Sequence, residues 1–262
     1  MPLMRLPSPT AAPPAAARSG YRARLADSPG DLRAAQALRF MVFNLELREG
    51  LDQSWETCSD ADRFDEVCDH LLVEDGATGQ LVGTYRLQTG VRAAAHHGYY
   101  CEREFDFAPF EPLRGQLLEL GRACLLDGHR NYPALSALWK GIAHYAQSRG
   151  QRYLIGCSSL TSQDAAVGAA AWQQLQAHAA PAALCTRPHA AFACDLGAQA
   201  PGPVRIPKLL AAYLALGGQV CGPPALDREF KTIDFLTLLD LQPASRWAAQ
   251  RLARFGVGAP LR

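Results

Sequence analysis

The most chemically promising residues lie in one apolar run, Leu117-Leu-Glu-Leu-Gly-Arg-Ala-Cys-Leu-Leu, which carries Glu119 and Arg122. Two charges in such a run cost free energy unless they pair or face a polar cavity. A carboxylate there can take a proton from an attacking amine, and an arginine can hold a carboxylate or a developing oxyanion. An ordinary structural ion pair explains the motif equally well. The run reads as a strand, in which positions three apart point to opposite faces. Gly121 is where a β-bulge would turn both side chains toward one cleft.

Other positions are weaker taken singly. Arg39 and Phe43 fall one helical turn apart, on one face. Asp62 and Asp65, followed by Asp69, gather carboxylates ahead of a strand, where they either hold a cationic substrate or solvate a loop. Arg86 sits in the strand Val82-Gly-Thr-Tyr-Arg-Leu and needs a partner if it points inward. His70 and Asp75 match the His-x4-Asp pattern of glycerolipid acyltransferases, but residues five apart on a strand face opposite sides, and Asp75 is better placed as a turn residue before Gly76. Cys157, at a strand end, has no evident histidine partner and reads as a packed thiol. There is no Gly-x-Ser-x-Gly, P-loop or Gly-x-Gly-x-x-Gly motif.

These residues need elements to position them. Asp31–Leu47 has helical spacing in Leu32, Ala35, Leu38 and Val42, stopped by Gly50. A polar loop over 51–65 follows, too long for a plain connector. His70–Glu74 and Gln80–Leu87 flank a turn at Asp75–Gly79 and form a hairpin. After the 117–126 strand, Asn131 and Pro133 open a helix that carries Leu138, Trp139, Ile142 and Tyr145 and ends at Gly150. Arg152–Cys157 is a strand, Ile206–Leu216 a helix, and Val220-Cys and Thr232–Leu239 late strands. The order predicts an α+β domain, a mixed and mostly antiparallel sheet flanked by helices, over residues 21–242. Residues 1–20, rich in Ala and Pro, read as a disordered tail, and 243–262 as a basic amphipathic helix suited either to an anionic membrane surface or to packing on the domain.

Composition narrows the function. The 262 residues are 48% hydrophobic and carry a net charge of +1, so nucleic acid is not the expected partner. Lys140, Lys208 and Lys231 are the only lysines. No apolar run reaches the roughly 20 residues that span a bilayer, and prolines interrupt the apolar stretch near the start that a signal peptide would need. The eight cysteines form no Cys-x-x-Cys pair, which predicts reduced thiols, no metal and a cytoplasmic location.

Taken in order, Arg39…Phe43, Asp62…Asp65, Arg86 and Glu119…Arg122 resemble the pattern of the acyl-homoserine-lactone (autoinducer) synthases. A stronger likeness is to the ornithine–acyl carrier protein N-acyltransferases and their hemolysin-like relatives. It is carried by Phe64-Asp-Glu-Val-Cys-Asp-His-Leu-Leu-Val, Gly83-Thr-Tyr-Arg-Leu, Leu118-Glu-Leu-Gly-Arg-Ala-Cys-Leu, Leu138-Trp-Lys-Gly-Ile-Ala, Gly222-Pro-Pro-Ala-Leu-Asp-Arg-Glu-Phe and Thr232-Ile-Asp-Phe-Leu. The resemblance covers residues 22 to 242 and implies a GNAT-like fold and 3-hydroxyacyl transfer from acyl carrier protein to the α-amine of ornithine. No bound cofactor is implied: the acyl-phosphopantetheine of the carrier is the donor, ahead of acyl-coenzyme A. Glu119 would be the base, acting through a water, and Arg122 and Arg39 would position the substrate carboxylate or thioester carbonyl. Asp62 and Asp65 would hold the δ-ammonium or order the loop, and Arg86 would be a second carboxylate or carrier contact. Cys124, Leu125, Trp139, Cys157 and Ser158 would line the acyl and pantetheine path. Residues 127–133 lack the Arg/Gln-x-x-Gly-x-Gly/Ala loop that cradles coenzyme A pyrophosphate, which favours the carrier protein. The alternatives are acylation of another small amine, a homoserine-lactone-type product, and a non-catalytic acyl-binding protein.

Overall fold

A computed structural model describes residues 20–198, 202–242 and 246–256, with the side chains of 246–248 outside that description. The expected tail lies outside the described residues except for Gly20. Strand β1 (Tyr21–Leu25) leads to helix α1 (Pro29–Phe40), which opens on Ser28, whose side chain accepts from the Asp31 N–H, with Pro29 in its first turn. α1 runs straight into a π-helical turn, Met41–Glu46, so the helix expected over 31–47 is present but changes pitch after Phe40. A single helical turn, α2 (Ser54–Thr57), interrupts the acidic loop. The hairpin follows as β2 (Asp69–Asp75) and β3 (Leu81–Thr89), with Asp75 accepting from the Ala77 N–H in its turn.

A short helix α3 (Gly90–Ala95) and two 3₁₀ segments, Cys101–Arg103 and Ala108–Gln116, then cross one face of the sheet before β4 (Leu117–Leu125). Helix α4 (Tyr132–Ser148) begins on an Asn131 cap, and β5 (Tyr153–Leu160) follows. Helix α5 (Ala165–Leu175) has too little apolar contrast to stand out from its alanines. The chain closes with α6 (Lys208–Ala215), β6 (Gln219–Val220), β7 (Ala225–Asp227), β8 (Thr232–Asp240) and α7 (Arg246–Ala253).

The sheet runs β1-β2-β3-β4-β5-β8-β6, with β7 also on β8, and every pairing is antiparallel except β4 with β5. The expected mixed, mostly antiparallel sheet is therefore present. Strand alternation gives it two unlike faces. On one, Tyr85, Leu87, Leu118, Leu120 and Leu154 pack against Leu138, Trp139, Ile142 and Tyr145 of α4, with Tyr213 of α6 and Leu252 of α7. On the other, Arg86, Gln88, Glu119, Cys157 and Asp234 lie beneath α1 and the 96–107 segment, beside an apolar cluster of Phe105, Phe107, Phe110, Leu117, Ile155 and Leu236.

Two irregularities break the sheet where these polar residues lie. The pairing of β4 with β5 stops at Glu119 opposite Ile155, although both strands continue, so they separate beyond that point. Gly156 stands at the fork: a Cβ on it would meet the Leu120 carbonyl oxygen at 2.3 Å, so only glycine lets the strands approach this closely before they part. On its other edge β4 bulges against β3, because Thr84 pairs with Cys124 but Arg86 pairs with Gly121.

The C-terminal helix packs on the domain: Leu252 is buried in the α4 core, and Arg251 Nη1 donates to the Ala215 carbonyl at 2.5 Å. Phe255, just beyond the helix, lies 6.1 Å from Trp139. Among the described residues, no helix is long and apolar enough to cross a membrane.

Candidate active site

The bulge expected near Gly121 is there, and the residue it forces into left-handed backbone is Arg122, at φ 53°. For a non-glycine residue that conformation costs roughly 1–2 kcal/mol, so its surroundings must hold it. Arg122 Nη2 lies 2.9 Å from Asp62 Oδ2 and Nε lies 3.3 Å from Asp60 Oδ1. Its guanidinium stacks over Phe230 at 4.1 Å and over Tyr100 at 4.8 Å.

Arg122 belongs to an interlocked group of arginines and aspartates. Arg39, 0% exposed, reaches Asp60 Oδ1 at 2.8 Å and Asp65 Oδ2 at 2.5 Å. Arg86 Nη1 reaches Asp62 Oδ1 at 2.6 Å and Asp65 Oδ1 at 3.0 Å. Three guanidinium groups thus meet three carboxylates, and the formal charges cancel. Burial works against ionising Asp65, but Arg39 and Arg86 hold its carboxyl below the usual carboxylate range. Asp62 is likewise lowered, against its burial, by Arg86 and Arg122. The acidic loop is tied to α1 as well, through Gln36 Nε2 to Asp65 and the Asp60 N–H to the Gln36 carbonyl.

The expectation gathered Arg39, Asp62, Asp65, Arg86 and Arg122, and all five are in this network. Asp60, from the polar 51–65 loop and not among the residues that carry the resemblance, completes it. Phe43 lies on the same side through the π-turn, edge-to-face with Phe230 at 5.7 Å.

Glu119 stands apart from this network. It is 4% exposed, and its carboxylate accepts the Tyr100 N–H at 2.9 Å and the Cys101 N–H at 2.8 Å. Glu119 and Arg122 therefore take different partners, and the simple ion pair that their spacing allowed is not how they are held. Burial pushes the Glu119 carboxyl up and the two amides pull it back, leaving it above the ordinary value. Tyr100 links the two halves: its N–H holds Glu119 while its ring lies 5.4 Å from the Arg86 guanidinium and beneath that of Arg122.

Around the fork, Cys157 Sγ lies 3.4 Å from Cys101 Sγ and 4.0 Å from Glu104 Oε2. Proximity to Cys101 and burial raise the Cys157 thiol well above the usual range, in keeping with a packed thiol. Cys124 is buried against Leu38, Val42, Phe43 and Phe230, on the same side of the sheet as Arg86. Leu125, Trp139 and Ser158 are not brought to Glu119. Leu125 and Trp139 join the α4 core on the opposite face, where Trp139 lies 4.8 Å from Tyr213, and Ser158 Oγ bonds Thr237 Oγ1 at 3.0 Å. Tyr100, Cys101 and Glu104 lie in a segment without periodicity, which no sequence pattern marks. Asp234 does carry a legible signal, an acid inside an apolar strand, the same one that singles out Glu119.

A buried carboxylate at the fork of two parallel strands can act as a base toward a group bound between them. An L-ornithine N(alpha)-acyltransferase of Rhodobacter capsulatus is 35% identical to this chain over 88% of it and 94% of the relative, and one of Brucella abortus is 32% identical over 90% and 89%. The chain belongs to the L-ornithine N(alpha)-acyltransferase family. It is an acyltransferase, and the acetyltransferase (GNAT) domain family matches residues 38–140, from the end of α1 into α4. Among solved structures, the CoA-dependent acyl-homoserine lactone synthase BjaI superposes with a TM-score of 0.52 at 14% identity, covering 92% of each chain. The N-acyl amino acid synthase FeeM from uncultured soil microbes gives 0.50 at 15%, covering 84% of this chain and 90% of that one. These likenesses bear on the fold, which the family shares with GNAT-type enzymes.

Proposed function

We propose that this chain transfers a 3-hydroxyacyl group from the phosphopantetheine thioester of acyl carrier protein to the α-amine of ornithine, giving lyso-ornithine lipid. The observation that carries the reading is Glu119, a buried carboxylate with a raised pKa at the point where β4 and β5 part. An α-ammonium must lose a proton before it can attack. Glu119 takes that proton through a water, the nitrogen forms a bond to the acyl carbon, the carbon–sulfur bond breaks, and the thiolate leaves to be protonated by solvent. No acyl-enzyme is involved, since the raised Cys157 thiol is a poor nucleophile.

Pairing of β4 with β5 ends at Glu119 opposite Ile155, and in this reading the pantetheine arm lies between the two strands beyond that point, as an added strand would. The start of α4, where a coenzyme pyrophosphate would seat, is capped by Asn131, whose side chain accepts the Ala134 N–H at 3.0 Å. That favours a carrier protein over coenzyme A. Arg86 Nη2 is sealed from solvent without a hydrogen-bond partner and faces Gly121, which makes it the guanidinium edge left for the substrate carboxylate or the thioester carbonyl. Arg39 and Arg122 act behind it, ordering the acidic loop.

The test is to supply 3-hydroxyacyl carrier protein with a panel of amines, follow free thiol and identify products by mass spectrometry. Ornithine should give the fastest release and an N-acylated product. Release that no amine stimulates would overturn the proposal. Replacing the carrier with the corresponding acyl-coenzyme A should lower the rate.

A further inference from the structure

The side-chain ammonium of ornithine has no counter-ion in the site described above. Asp60, Asp62 and Asp65 are taken up by guanidinium groups, and the Glu119 carboxylate by two amides. Glu49 is an acid left uncommitted. It follows the π-helical turn Met41–Glu46, is 8% exposed, and lines a cavity of about 420 Å³ together with Asn44, Leu45, Arg48, Trp55 and Lys231. That size suits a small organic ligand. The Glu49 carboxylate accepts from the Thr161 hydroxyl and forms no ion pair among the described residues. Of the two cations in the wall, Lys231 Nζ pairs with Asp52 at 2.7 Å, and Arg48 is exposed.

A buried carboxylate without a cation costs free energy. Burial raises the Glu49 carboxyl, the Thr161 hydroxyl pulls it back in part, and Asp234 adds to the rise. Asn44 supplies an independent observation. It is 2% exposed and its Nδ2 donates to the Leu51 carbonyl at 3.1 Å, but its Oδ1 is buried with no donor to it. Buried amide oxygens are seldom left unpaired. A carboxylate and an amide oxygen in one wall suit an ammonium, which brings three N–H donors and a positive charge. Leu45 and Trp55, in the same wall, offer apolar surface to methylenes.

We propose that Glu49 and Asn44 hold the side-chain ammonium of a diamino-acid acceptor, with its methylenes against Leu45 and Trp55, and so set the preference for a dibasic substrate. This rests on the amine-acylating reading of the Glu119 site. The cavity stands at the open end of the fork, where contacts reach it from both strands. Thr161, which bonds Glu49, is the residue directly after β5. From β4, the Arg122 guanidinium covers the Phe230 ring at 4.1 Å, and that ring meets Phe43 edge-to-face at 5.7 Å. The next residues in the chain after these two rings, Lys231 and Asn44, are in the cavity wall. An acceptor anchored there extends its α-amine along the fork toward Glu119 and leaves its carboxylate to Arg86.

The experiment compares ornithine with norvaline, which has the same carbon chain but no side-chain amine, and with lysine, one methylene longer, in wild type, Glu49→Gln and Glu49→Asp. Wild type should favour ornithine over norvaline in kcat/KM. Glu49→Gln should lower that ratio about 10- to 100-fold, the worth of hydrogen bonds to a charged group. Glu49→Asp draws the carboxylate back by one methylene, so it should move the preference from ornithine toward lysine, a change that lost packing alone does not produce. Each ratio is taken within one protein, so a smaller folded fraction leaves it unaltered. Should Glu49→Gln fail to fold, Glu49→Asp decides. An ornithine-to-norvaline ratio that keeps its wild-type value in the folded variants would overturn the site while leaving the acyltransfer reading intact. A wild type that uses norvaline as well as ornithine would do the same. Failure of wild type to acylate any amine would overturn that reading, and this one with it.

Discussion

Glu119 is held in place by Cys101: the carboxylate on β4 accepts the Cys101 amide at 2.8 Å, so the segment that covers the sheet also aims the proposed base. The adjoining Tyr100 amide takes the other oxygen at 2.9 Å. Glu119→Gln keeps the shape but turns one oxygen into an N–H donor facing an amide donor. We expect kcat to fall about 10²- to 10⁴-fold, the usual worth of general-base catalysis, with only a modest drop in melting temperature. Thiol release and thermal unfolding measure the two effects, and full activity in the variant would remove Glu119 as the base.

The acid side of the pH–rate profile follows from the same burial. Glu119 must be ionised to accept a proton, and its pKa is raised, chiefly by desolvation. Its protonated form therefore accumulates at a pH above the ordinary glutamate value of about 4.3. The kcat/KM should fall on acidification through an ionisation lying above that value. The residual rate of Glu119→Gln should lack this limb; a limb unchanged in the variant would assign it to another group.

The arginine–aspartate network predicts a stability effect. Asp65→Asn leaves the fully buried Arg39 and the buried Arg86 short of a negative charge, and breaking a buried pair in this way costs about 3–5 kcal/mol. The folded-state pKa of Asp65 is depressed. Its contribution is therefore present above the unfolded value of about 3.9 and is lost as pH falls through the folded one. Urea unfolding should show the full difference between wild type and Asp65→Asn near neutrality and a shrinking one below pH about 3.9. A difference independent of pH would mean that packing, and not charge, is what the substitution removes.

Which parts of this were legible in the sequence depends on how far each residue's contacts reach. The hairpin, β4, α4, β5 and β8 announce themselves by local period, and the glycine within β4 marked the bulge. Alternation cannot say which residue of a bulge turns left-handed, and here it is Arg122, because Asp60, Asp62 and Phe230 together hold it there. The charged positions were identifiable as charges out of place in apolar strands, but their pairing was not, since Arg39 and Asp65 meet across 26 residues and a loop of no regular period. Strand β1, helix α5 and the whole 90–116 segment carry no such local signal. β1 has alternating charge at an edge, α5 is almost uniformly small, and the 3₁₀ turns that carry Tyr100 and Cys101 obey neither period. Trp139 is legible as a large aromatic on a helix face, but the face it lies on is the far side of the sheet from Glu119.

Gly156 offers a test of the fork itself. An alanine Cβ there would stand 2.3 Å from the Leu120 carbonyl oxygen, a backbone atom that cannot rotate away, whereas at the exposed Gly115 a Cβ meets nothing within 4 Å. Gly156→Ala must therefore move β5 relative to β4 at the residue after their last pairing, Glu119 with Ile155. Overpacking of this sort costs about 1–3 kcal/mol, and Gly115→Ala should be close to neutral. Because the proposed path of the pantetheine arm runs between these two strands, the KM for acyl carrier protein should rise more than the KM for ornithine. Steady-state kinetics with each substrate varied in turn would show this. A Gly156→Ala protein with wild-type KM for the carrier, folded and active, would mean that the donor does not enter between β4 and β5.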